Sequence, residues 1–396
     1  MVSRRTLLAA GTGVAALAPV GIALSADAEE TTGGAAAKAP GDAGQPVPRT
    51  LTRHARRASG GRTVAKTDFA LTHLGVAWTA AQATVRVRTA EGWSDWRPAA
   101  GCPVGSDSTG PNRPGGSALL AVPGASGYEV QVGSGSVSTV ELNTRDGARR
   151  ATTAGSGAFP YGGRSVARKP RYLSRAGWGA DESRRVTTTA PSFFTPVALT
   201  VHHEGADYDT SRQLEHVRAL YEFETTPADQ GGSGLDDLGY HLLIDTEGTV
   251  YEGRWSGDDR VPVFGPRTRG KRLTAVNGAH VGGFNAGNIG VCLLGDYSTK
   301  PVPQPVYRSL TFVLAGLAAA ARLDPQGTTD YVNEADVADP DRTDPPRSAT
   351  IPTISAHRDW HGANPEAGET LCPGDGMYAR MTELRKDVAT LLGRWS

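Results

Sequence analysis

The stretch Val197-Ala198-Leu199-Thr200-Val201-His202-His203 decides how the fold of this chain is interpreted. Its apolar start predicts a buried strand, and two imidazoles follow at the end of that strand. A second stretch, His357-Arg358-Asp359, follows another apolar run, and Cys372 comes after it in a turn-like Cys-Pro-Gly segment. Catalytic zinc sites use three protein ligands plus water, whereas closed structural sites use four. His202, His357 and Cys372 are therefore predicted to hold a Zn²⁺ ion with one position left open.

Strand and helix patterns alternate around these two stretches. Short apolar runs predict strands at 197–201, 241–245, 288–294 and 353–356. Apolar residues at helical spacing predict helices after Asp209, over 306–322 and over 377–392. The alternation predicts an α/β fold in which a mixed β-sheet is flanked by helices.

The N-terminal part of the chain has a different pattern. Thr84–Thr89 and Tyr128–Val132 alternate apolar with polar residues, which predicts strands and a smaller all-β, sandwich-like domain over 67–144. Three tryptophans, Trp78, Trp93 and Trp96, could stack on sugars, but core packing is the favoured interpretation because aromatic residues dominate small β cores. This domain contains no catalytic constellation.

Segments rich in Gly, Ala, Pro, Thr and Arg divide the chain. They predict a disordered linker over 29–66 and a second linker over 145–170. The larger α/β domain is then expected over 171–396. Formal net charge is zero for the 396 residues, so nothing in the overall charge points to nucleic acid.

Residues 1–28 have the features of an export signal. Ser3-Arg4-Arg5-Thr6-Leu7-Leu8 precedes an Ala/Gly/Leu-rich stretch that ends at small residues, which resembles a bacterial twin-arginine signal. Glycines and a proline interrupt that stretch, which makes it a poor membrane span, although an uncleaved anchor is the alternative. We expect a protein that is secreted or held in the cell wall, with no integral membrane span after processing.

Cysteine usage supports a ligand role for Cys372. An exported chain with only three cysteines, an odd number, is not a disulfide scaffold. Cys292 lies in the apolar run Ile289–Leu294 and is expected in the core, and Cys102 lies in a loop. A turn before Pro-Gly is a poor place for a core thiol and a good place for a metal ligand.

Six stretches carry a family resemblance, and they occur in order along the C-terminal part of the chain. They are Arg175–Ala180; Val201–His203; Leu238–Asp245 with Gly248 and Tyr251–Arg254; Gly278–His280 with Asn285 and Asn288–Val291; Ala356–Asp359; and Thr370–Gly374. With these stretches, residues 171–394 resemble the peptidoglycan recognition protein family, which includes the zinc N-acetylmuramoyl-L-alanine amidases typified by phage T7 lysozyme.

The resemblance implies roles for particular residues. It implies zinc as the cofactor, with His202, His357 and Cys372 as its ligands, and peptidoglycan as the partner. Tyr240 occupies the position of the family's catalytic tyrosine. Thr370 occupies the position of a second catalytic group. Substrate contacts are expected at His280, Asn285 and Arg254.

Two features depart from the family pattern. Glu204 follows the histidine pair where many members have Thr or Ser, and residues 361–365 lengthen the stretch between His357 and Cys372. Glu204 is a candidate accessory base, although a carboxylate outside the reaction is the simpler interpretation. His216 is expected on an exposed helix face, and His361 is either a loop residue or a further polar group near the metal.

These observations predict an exported zinc amidase that hydrolyses the N-acetylmuramoyl–L-alanine bond of bacterial peptidoglycan. The alternative is a non-catalytic peptidoglycan-binding protein that uses the same cleft. Binding-only members typically lose the cysteine ligand, which Cys372 preserves here. A third, weaker idea is that the N-terminal domain attaches the protein to the cell wall.

Overall fold

The computed structural model describes residues 43–100, 115–153, 155–161, 169–258, 261–269 and 272–395. The predicted export signal, the first part of the predicted disordered linker (29–42) and Cys102 lie outside these described residues. None of the helices in the described part of the chain has the length and apolar character that crossing a membrane requires.

The strands and helices are as follows. The strands are β1 (Ala43–Pro48), β2 (Leu51–Trp78), β3 (Ala83–Thr89), β4 (Gly92–Trp93), β5 (Arg97–Pro98), β6 (Gly116–Asn143), β7 (Arg149–Thr153), β8 (Ser156–Ala158), β9 (Arg171–Leu173), β10 (Phe193–Phe194), β11 (Ala198–His203), β12 (Leu242–Ile244), β13 (Val250–Glu252), β14 (Phe264–Arg269), β15 (Arg272–Val276), β16 (Asn288–Leu293), β17 (Thr328–Val332), β18 (Ser348–Pro352) and β19 (Ile354–Ala356). The helices are α1 (Arg175–Trp178), α2 (Gln213–Thr225), α3 (Gln304–Ala321), α4 (Glu334–Ala338), α5 (His357–Ala363), α6 (Asp375–Tyr378) and α7 (Met381–Gly393).

A seven-stranded mixed sheet forms the centre of the C-terminal domain, in the order β19, β11, β16, β12, β13, β9, β8. Strand β11 pairs in parallel with both β16 and β19, and β12 pairs in parallel with β16. Such inner strands are covered on both faces, which explains why they appear in the sequence as continuous apolar runs. The prediction of a mixed sheet flanked by helices is confirmed.

The two faces of this sheet carry different helices. Leu242 and Ile244 of β12 pack in one hydrophobic cluster with residues of α3 and α7. Leu243, which points to the opposite face, packs in another cluster with residues of α2. Alternation of side chains along each strand therefore produces two separate cores, one on each side of the sheet.

The N-terminal domain is an antiparallel sheet in the order β2, β6, β3, β4, with β5 also paired to β3. Its two long strands fold back on themselves. Leu74 of β2 has a different segment of β6 on each side, and it pairs with Leu120 on one and with Glu141 on the other. The sheet thus folds over a core of its own that includes Leu74, Val85 and Tyr128. The predicted all-β character of this domain is confirmed.

The prediction of a disordered linker over 29–66 is wrong within the described residues. Strand β1 and the first part of β2 fall in that range, and Leu51 to Lys66 pair with the segment of β6 that ends at Asn143. Most described side chains of this part of β2 are at least partly exposed, so no apolar periodicity reveals it. This part of β2 is a strand because its backbone pairs with β6, which lies far along the chain.

The prediction of a linker over 145–170 is also wrong in its described part. Strand β7 pairs with β1, and β8 joins the edge of the central sheet through β9. Phe159 and Tyr161 are buried in the same core as α3. Two aromatic residues among glycines and serines anchor this segment, so the C-terminal domain begins before residue 171.

The tryptophans of the N-terminal domain differ from the favoured interpretation. Only Trp78 packs against the core of that domain. Trp93 and Trp96 are 39% and 37% exposed, and the guanidinium of Arg86 lies 4.8 Å and 5.0 Å from their ring centres. Trp93 lies on strand β4 at the edge of the sheet and Trp96 just before β5, and neither belongs to the core among the described residues.

The two domains pack directly on each other through α2. Leu119, Val140 and Leu142 of β6 share a hydrophobic cluster with Leu220 and Phe223 of α2. Polar contacts surround this cluster, and they are Thr52 Oγ1 to Glu222 Oε1 at 2.9 Å, Arg145 Nε to Glu215 Oε2 at 2.5 Å and Ser117 Oγ to Ser233 Oγ at 3.1 Å. The helix that follows the histidine strand is therefore enclosed between the sheet and the N-terminal domain.

Candidate metal centre

Three predicted ligands meet at one edge of the central sheet. His202 lies near the end of β11, His357 is the first residue of α5 directly after β19, and Cys372 lies in the loop before α6. Because β11 and β19 are adjacent parallel strands, their carboxyl ends lie side by side. The ligand atoms of the three residues all lie within 4.8 Å of one another.

The spacing of these atoms suits a tetrahedral metal. Cys372 Sγ lies 3.7 Å from His202 Nδ1, and the ring centres of His202 and His357 are 4.6 Å apart. Zinc bonds of about 2.0–2.3 Å give ligand-to-ligand distances of about 3.5 Å in a tetrahedron. All three side chains are buried. The donor set and its spacing fit Zn²⁺, and in the described part of the chain neither His361 nor Glu204 joins the cluster.

His280 orients the ring of His202. His280 Nε2 lies 3.0 Å from the carbonyl oxygen of Asn288, and its Nδ1 lies 3.0 Å from His202 Nε2. The carbonyl can only accept, so a neutral His280 carries its proton on Nε2 and accepts at Nδ1. His202 must then donate from Nε2, which leaves the lone pair of Nδ1 directed at Cys372 and His357. Such partners commonly fix the tautomer of a metal-binding histidine.

His280 was predicted to contact the substrate, but its position in the structure leaves no room for such a contact. Its ring is fully buried and both ring nitrogens are hydrogen-bonded within the protein, so no surface is left for a substrate. Space for the ring comes from Gly290 of β16, because a Cβ atom there would lie 2.6 Å from His280 ring carbons. The glycine in Asn288–Val291 was the available sequence signal for a ring packed against that strand.

The histidines behind the cluster are neutral. Burial lowers the pKa of His280 well below its usual value, and the neighbouring imidazoles of His202 and His241 add to this effect. Burial likewise lowers the pKa of His241 to about 4. His241 Nε2 donates to the carbonyl of Val276 at 2.7 Å, and its Nδ1 accepts from Gly290 N at 3.0 Å. Neutral rings are the form that a metal-supporting network needs.

Backbone groups hold Cys372 in place. The amide of His203 donates to Cys372 Sγ at 3.4 Å, which favours the thiolate that a metal requires. The amide of Arg358 donates to the carbonyl of Cys372 at 2.9 Å and ties this loop to α5. Thr370 Oγ1 accepts from the amide of Cys372 at 3.1 Å, which leaves its hydroxyl proton available for another acceptor.

Two residues of the second histidine stretch have roles that sequence reasoning missed. Asp359 accepts from the amide of Ala356 at 2.9 Å and from the hydroxyl of Tyr378 at 2.9 Å, and so connects α5 to α6. The guanidinium of Arg358 lies 4.4 Å from the ring centre of Tyr378 and donates to Asp375 and to the carbonyl of Leu371. An acid at the third position of a helix was the available signal.

Tyr240 lies beside the cluster. Its ring meets the ring of His202 edge-on, with 5.2 Å between their centres. The side chain is buried in the cluster of apolar residues that also contains Leu119 of the N-terminal domain. Tyr240 therefore lies between the histidine strand and the surface that the N-terminal domain covers.

Asn285 and Arg254, predicted as substrate contacts, have structural partners instead. Asn285 Oδ1 accepts from the amides of His280 and Val281 at 2.7 Å and 2.9 Å. Arg254 donates to both carboxylate oxygens of Asp236 at 2.7 Å and to a backbone carbonyl. Both side chains are buried, and these bonds stabilise the loops around Tyr240 and His280 rather than contact a ligand.

Glu204 and His216 form a buried pair. Glu204 is 6% exposed, and its Oε2 lies 2.7 Å from Nε2 of His216. His216 is 1% exposed, so the prediction of an exposed helix face is wrong at this position. The N-terminal domain covers that face of α2, which a single-helix pattern does not reveal.

The fold and the site define an α/β domain with a buried His-His-Cys triad that could bind one metal ion. Residues 193–375 match the family model described as N-acetylmuramoyl-L-alanine amidase. This domain is therefore similar to the N-acetylmuramoyl-L-alanine amidases and to the peptidoglycan recognition proteins.

Known relatives match part of the chain. Peptidoglycan-recognition protein SC2 of Drosophila melanogaster is 28% identical over 134 residues, which are 32% of this chain and 56% of that protein. The chain thus spans little more than half the length of this curated relative. The crystal structure of Drosophila peptidoglycan recognition protein SD has 20% identity and a TM-score of 0.35 over 54% of this chain and 95% of its own. An N-acetylmuramoyl-L-alanine amidase from Clostridium intestinale has 19% identity and a TM-score of 0.30, over 49% of this chain and 89% of its own.

Proposed function

We propose that this protein is an exported zinc amidase that hydrolyses the amide bond between N-acetylmuramic acid and L-alanine in bacterial peptidoglycan. The observation that carries the proposal is the cluster of His202, His357 and Cys372, whose three ligand atoms lie within 4.8 Å of one another. Three protein ligands leave a tetrahedral ion one open position, as catalytic sites require. The match of residues 193–375 to the amidase family supports the reaction class.

The chain's own residues account for the remaining chemistry. A Zn²⁺ ion held here would supply a charge that polarises the amide carbonyl and lowers the pKa of a water to about 7. The hydroxyls of Tyr240 and Thr370 are donors for the carbonyl oxygen as negative charge develops on it. Loss of one such donor typically costs about a hundredfold in rate. The water oxygen bonds to the carbonyl carbon, the C–N bond breaks, and a proton passes to the alanine nitrogen.

A recognition protein without activity is the competing function. It would bind peptidoglycan in the same cleft and would need neither an open metal position nor a thiolate ligand. Retention of Cys372 beside Tyr240 favours the enzyme, because a site with three ligands and one open position has little use in binding alone.

The test is digestion of isolated peptidoglycan by the full-length, zinc-loaded protein. New amino termini on alanine and new reducing sugar ends are measured, with chelator and with zinc added back. Cys372→Ser removes a proposed ligand and is expected to lower activity at least a hundredfold and to lose bound zinc. Cys292→Ala is the matched control, because this buried cysteine of β16 lies outside the cluster.

The products decide between the competing functions. Alanine termini that require zinc and Cys372, without reducing ends, support the amidase. Reducing ends would identify a glycosidase, and binding without any cleavage would identify a recognition protein.

Export through residues 1–28 is a further part of the proposal. The Arg4-Arg5 pair before an apolar stretch supports a twin-arginine route. Replacing both arginines with lysine in the full chain is expected to keep the protein inside the cell, measured by fractionation in the presence of a Sec-exported control. Unchanged export would contradict the assigned route.

A further inference from the structure

Tyr240, the proposed donor to the substrate carbonyl, is closed off from solvent. Its side chain is 2% exposed, and the neighbouring His202 is 0% exposed. A hydroxyl stabilises a carbonyl oxygen only when the two atoms come within about 3 Å of each other. Peptidoglycan is a polymer, so a cleft wide enough for a sugar ring and a peptide has to lead to this residue. The described arrangement is therefore one in which the substrate does not reach Tyr240.

The N-terminal domain covers this side of the candidate centre. Tyr240 lines a cavity whose opposite wall consists of Ser117, Ala118 and Leu119 of β6. The cavity has a volume of about 20 Å³, which is room for about one water molecule. Leu119 also packs in the hydrophobic cluster that contains Tyr240. The N-terminal domain thus fills the space beside Tyr240 that a substrate would need.

The surface beneath the N-terminal domain has a polar character. Five ionisable side chains on and near α2 are buried there, and they are Glu204, His216, Arg218, Glu222 and Glu224. Residues of the N-terminal domain lie against each of them, through a hydrogen bond or as the opposite wall of the cavity. Permanently closed interiors seldom contain so many ionisable groups, because the burial of charge is costly. This face fits a surface that meets water in another state of the molecule.

The contact between the domains combines an apolar attraction with a polar cost. Leu142 of β6 and Phe223 of α2 belong to the same hydrophobic cluster, which favours docking. Glu204 Oε1 and Arg218 Nε are buried without a hydrogen-bond partner among the described residues, and burial raises the pKa of Glu224. These groups would regain water if the domain moved away, so they offset part of the apolar gain.

We propose that the N-terminal domain is an autoinhibitory cover, and that peptidoglycan is cleaved only when this domain moves away from α2 and Tyr240. The inference rests on the proposed function, because it requires Tyr240 to act on the substrate. Substrate then binds the undocked form, and the apparent affinity falls in proportion to the fraction of molecules that are undocked. The stability of the docking contact therefore sets the activity of the protein.

A cross-link between the domains tests this cover. Ser117 Oγ of β6 lies 3.1 Å from Ser233 Oγ of the C-terminal domain, so a disulfide between cysteines at these positions would lock the docked form. The full-length, zinc-loaded Ser117→Cys, Ser233→Cys protein is oxidised and compared with the same protein after reduction. Digestion of isolated peptidoglycan is expected to be at least about tenfold slower in the locked form and to recover on reduction.

A binding measurement gives a second readout that does not depend on turnover. After oxidation, zinc is removed with chelator and the binding of a synthetic muramyl tripeptide is measured by calorimetry. The locked form is expected to bind at least about tenfold more weakly than the reduced form. Each single cysteine variant, treated in the same way, is expected to keep its activity and controls for oxidation of the other thiols.

A weaker docking contact should have the opposite effect. Leu142 packs in the cluster shared with α2 rather than in the core of its own domain. Leu142→Ala is expected to raise cleavage and muramyl tripeptide binding about tenfold over the wild type, with folding checked by circular dichroism. Val64→Ala is the matched control, because this side chain of the same domain is exposed, and it is expected to behave like the wild type.

Each outcome has a distinct meaning. Equal cleavage and binding by the locked and the reduced protein would overturn the inference and leave the proposed function intact. A Leu142→Ala variant no more active than the wild type would show that docking does not limit activity, which also overturns it. Absence of cleavage in the reduced double variant, in Leu142→Ala and in the wild type would overturn the proposed function, and this inference with it.

Discussion

Buried ionisable side chains at single positions decide which protonation states the candidate site can adopt. His241 and His280 are fully buried, and each has both ring nitrogens engaged within the protein. Sequence reasoning identified the three clustered ligands, because each stands in a short recognisable stretch. It placed His280 with the substrate, because sequence position does not reveal which side of a strand a distant loop residue packs against.

Glu224 provides a residue-scale prediction about pH. Burial, together with the nearby charges of Glu204 and Asp237, raises the pKa of Glu224 to about 8. An unfolded glutamate ionises near pH 4.3, so between that pH and pH 8 the unfolded chain releases a proton that the folded chain keeps. The free energy of unfolding should therefore fall as pH rises through this range, by about 1.4 kcal/mol per unit.

Glu224→Gln removes this ionisation. Urea unfolding at pH 5, 6, 7 and 8 is expected to show a shallower decline in the variant, with a difference of about 4 kcal/mol accumulated between pH 5 and pH 8. Glu366→Gln is the control, because Glu366 is exposed and should leave the wild-type decline unchanged. Equal slopes in the wild type and Glu224→Gln would mean that Glu224 is ionised in the folded protein.

At the scale of single elements, inner strands and edge strands differ in what their residues reveal. β11, β12 and β16 are covered on both faces, so their apolar runs predict them directly. β8 and the first part of β2 are short of apolar residues and depend on backbone pairing with segments far along the chain. Local composition therefore indicated linkers where the structure has strands.

In helix α2, too, the local sequence pattern fails to predict which residues are buried. Its apolar residues Leu214, Val217, Leu220 and Tyr221 have the spacing of one helix face, and the structure buries the last three and half-buries Leu214. His216 and Glu222, which belong to the polar side in the sequence pattern, are buried as well, through contacts with His73 and Thr52. Polar residues can line a buried face when each finds a partner, and helical periodicity does not report such partners.

At the scale of the whole molecule, docking of the two domains is the feature with the widest consequences. The contact joins β6 to α2, the helix that follows the strand of His202. Ser117 Oγ and Ser233 Oγ lie 3.1 Å apart across this contact. Cysteines at both positions would therefore be close enough to form a cross-link.

The double variant Ser117→Cys with Ser233→Cys tests this docking. Mild oxidation of the zinc-loaded protein is expected to form the disulfide and to raise the unfolding midpoint, because a loop of more than about 100 residues closed in the unfolded chain is worth up to about 4.7 kcal/mol. Reduction should reverse the shift. The single variants, treated in the same way, control for the other thiols of the chain. Failure of the double variant to cross-link would contradict the docking described here.

The sequence by itself determined the α/β class, the inner strands and the three residues that cluster as candidate metal ligands. Those features rest on local apolar runs and on ligand types next to strand ends, which a linear pattern contains. Only the tertiary structure decided which strands form the sheet edges, how His280 supports His202, and that His73 reaches His216 across the domain boundary. Those features depend on pairing and burial between segments far apart in the chain, and no local pattern encodes the partner.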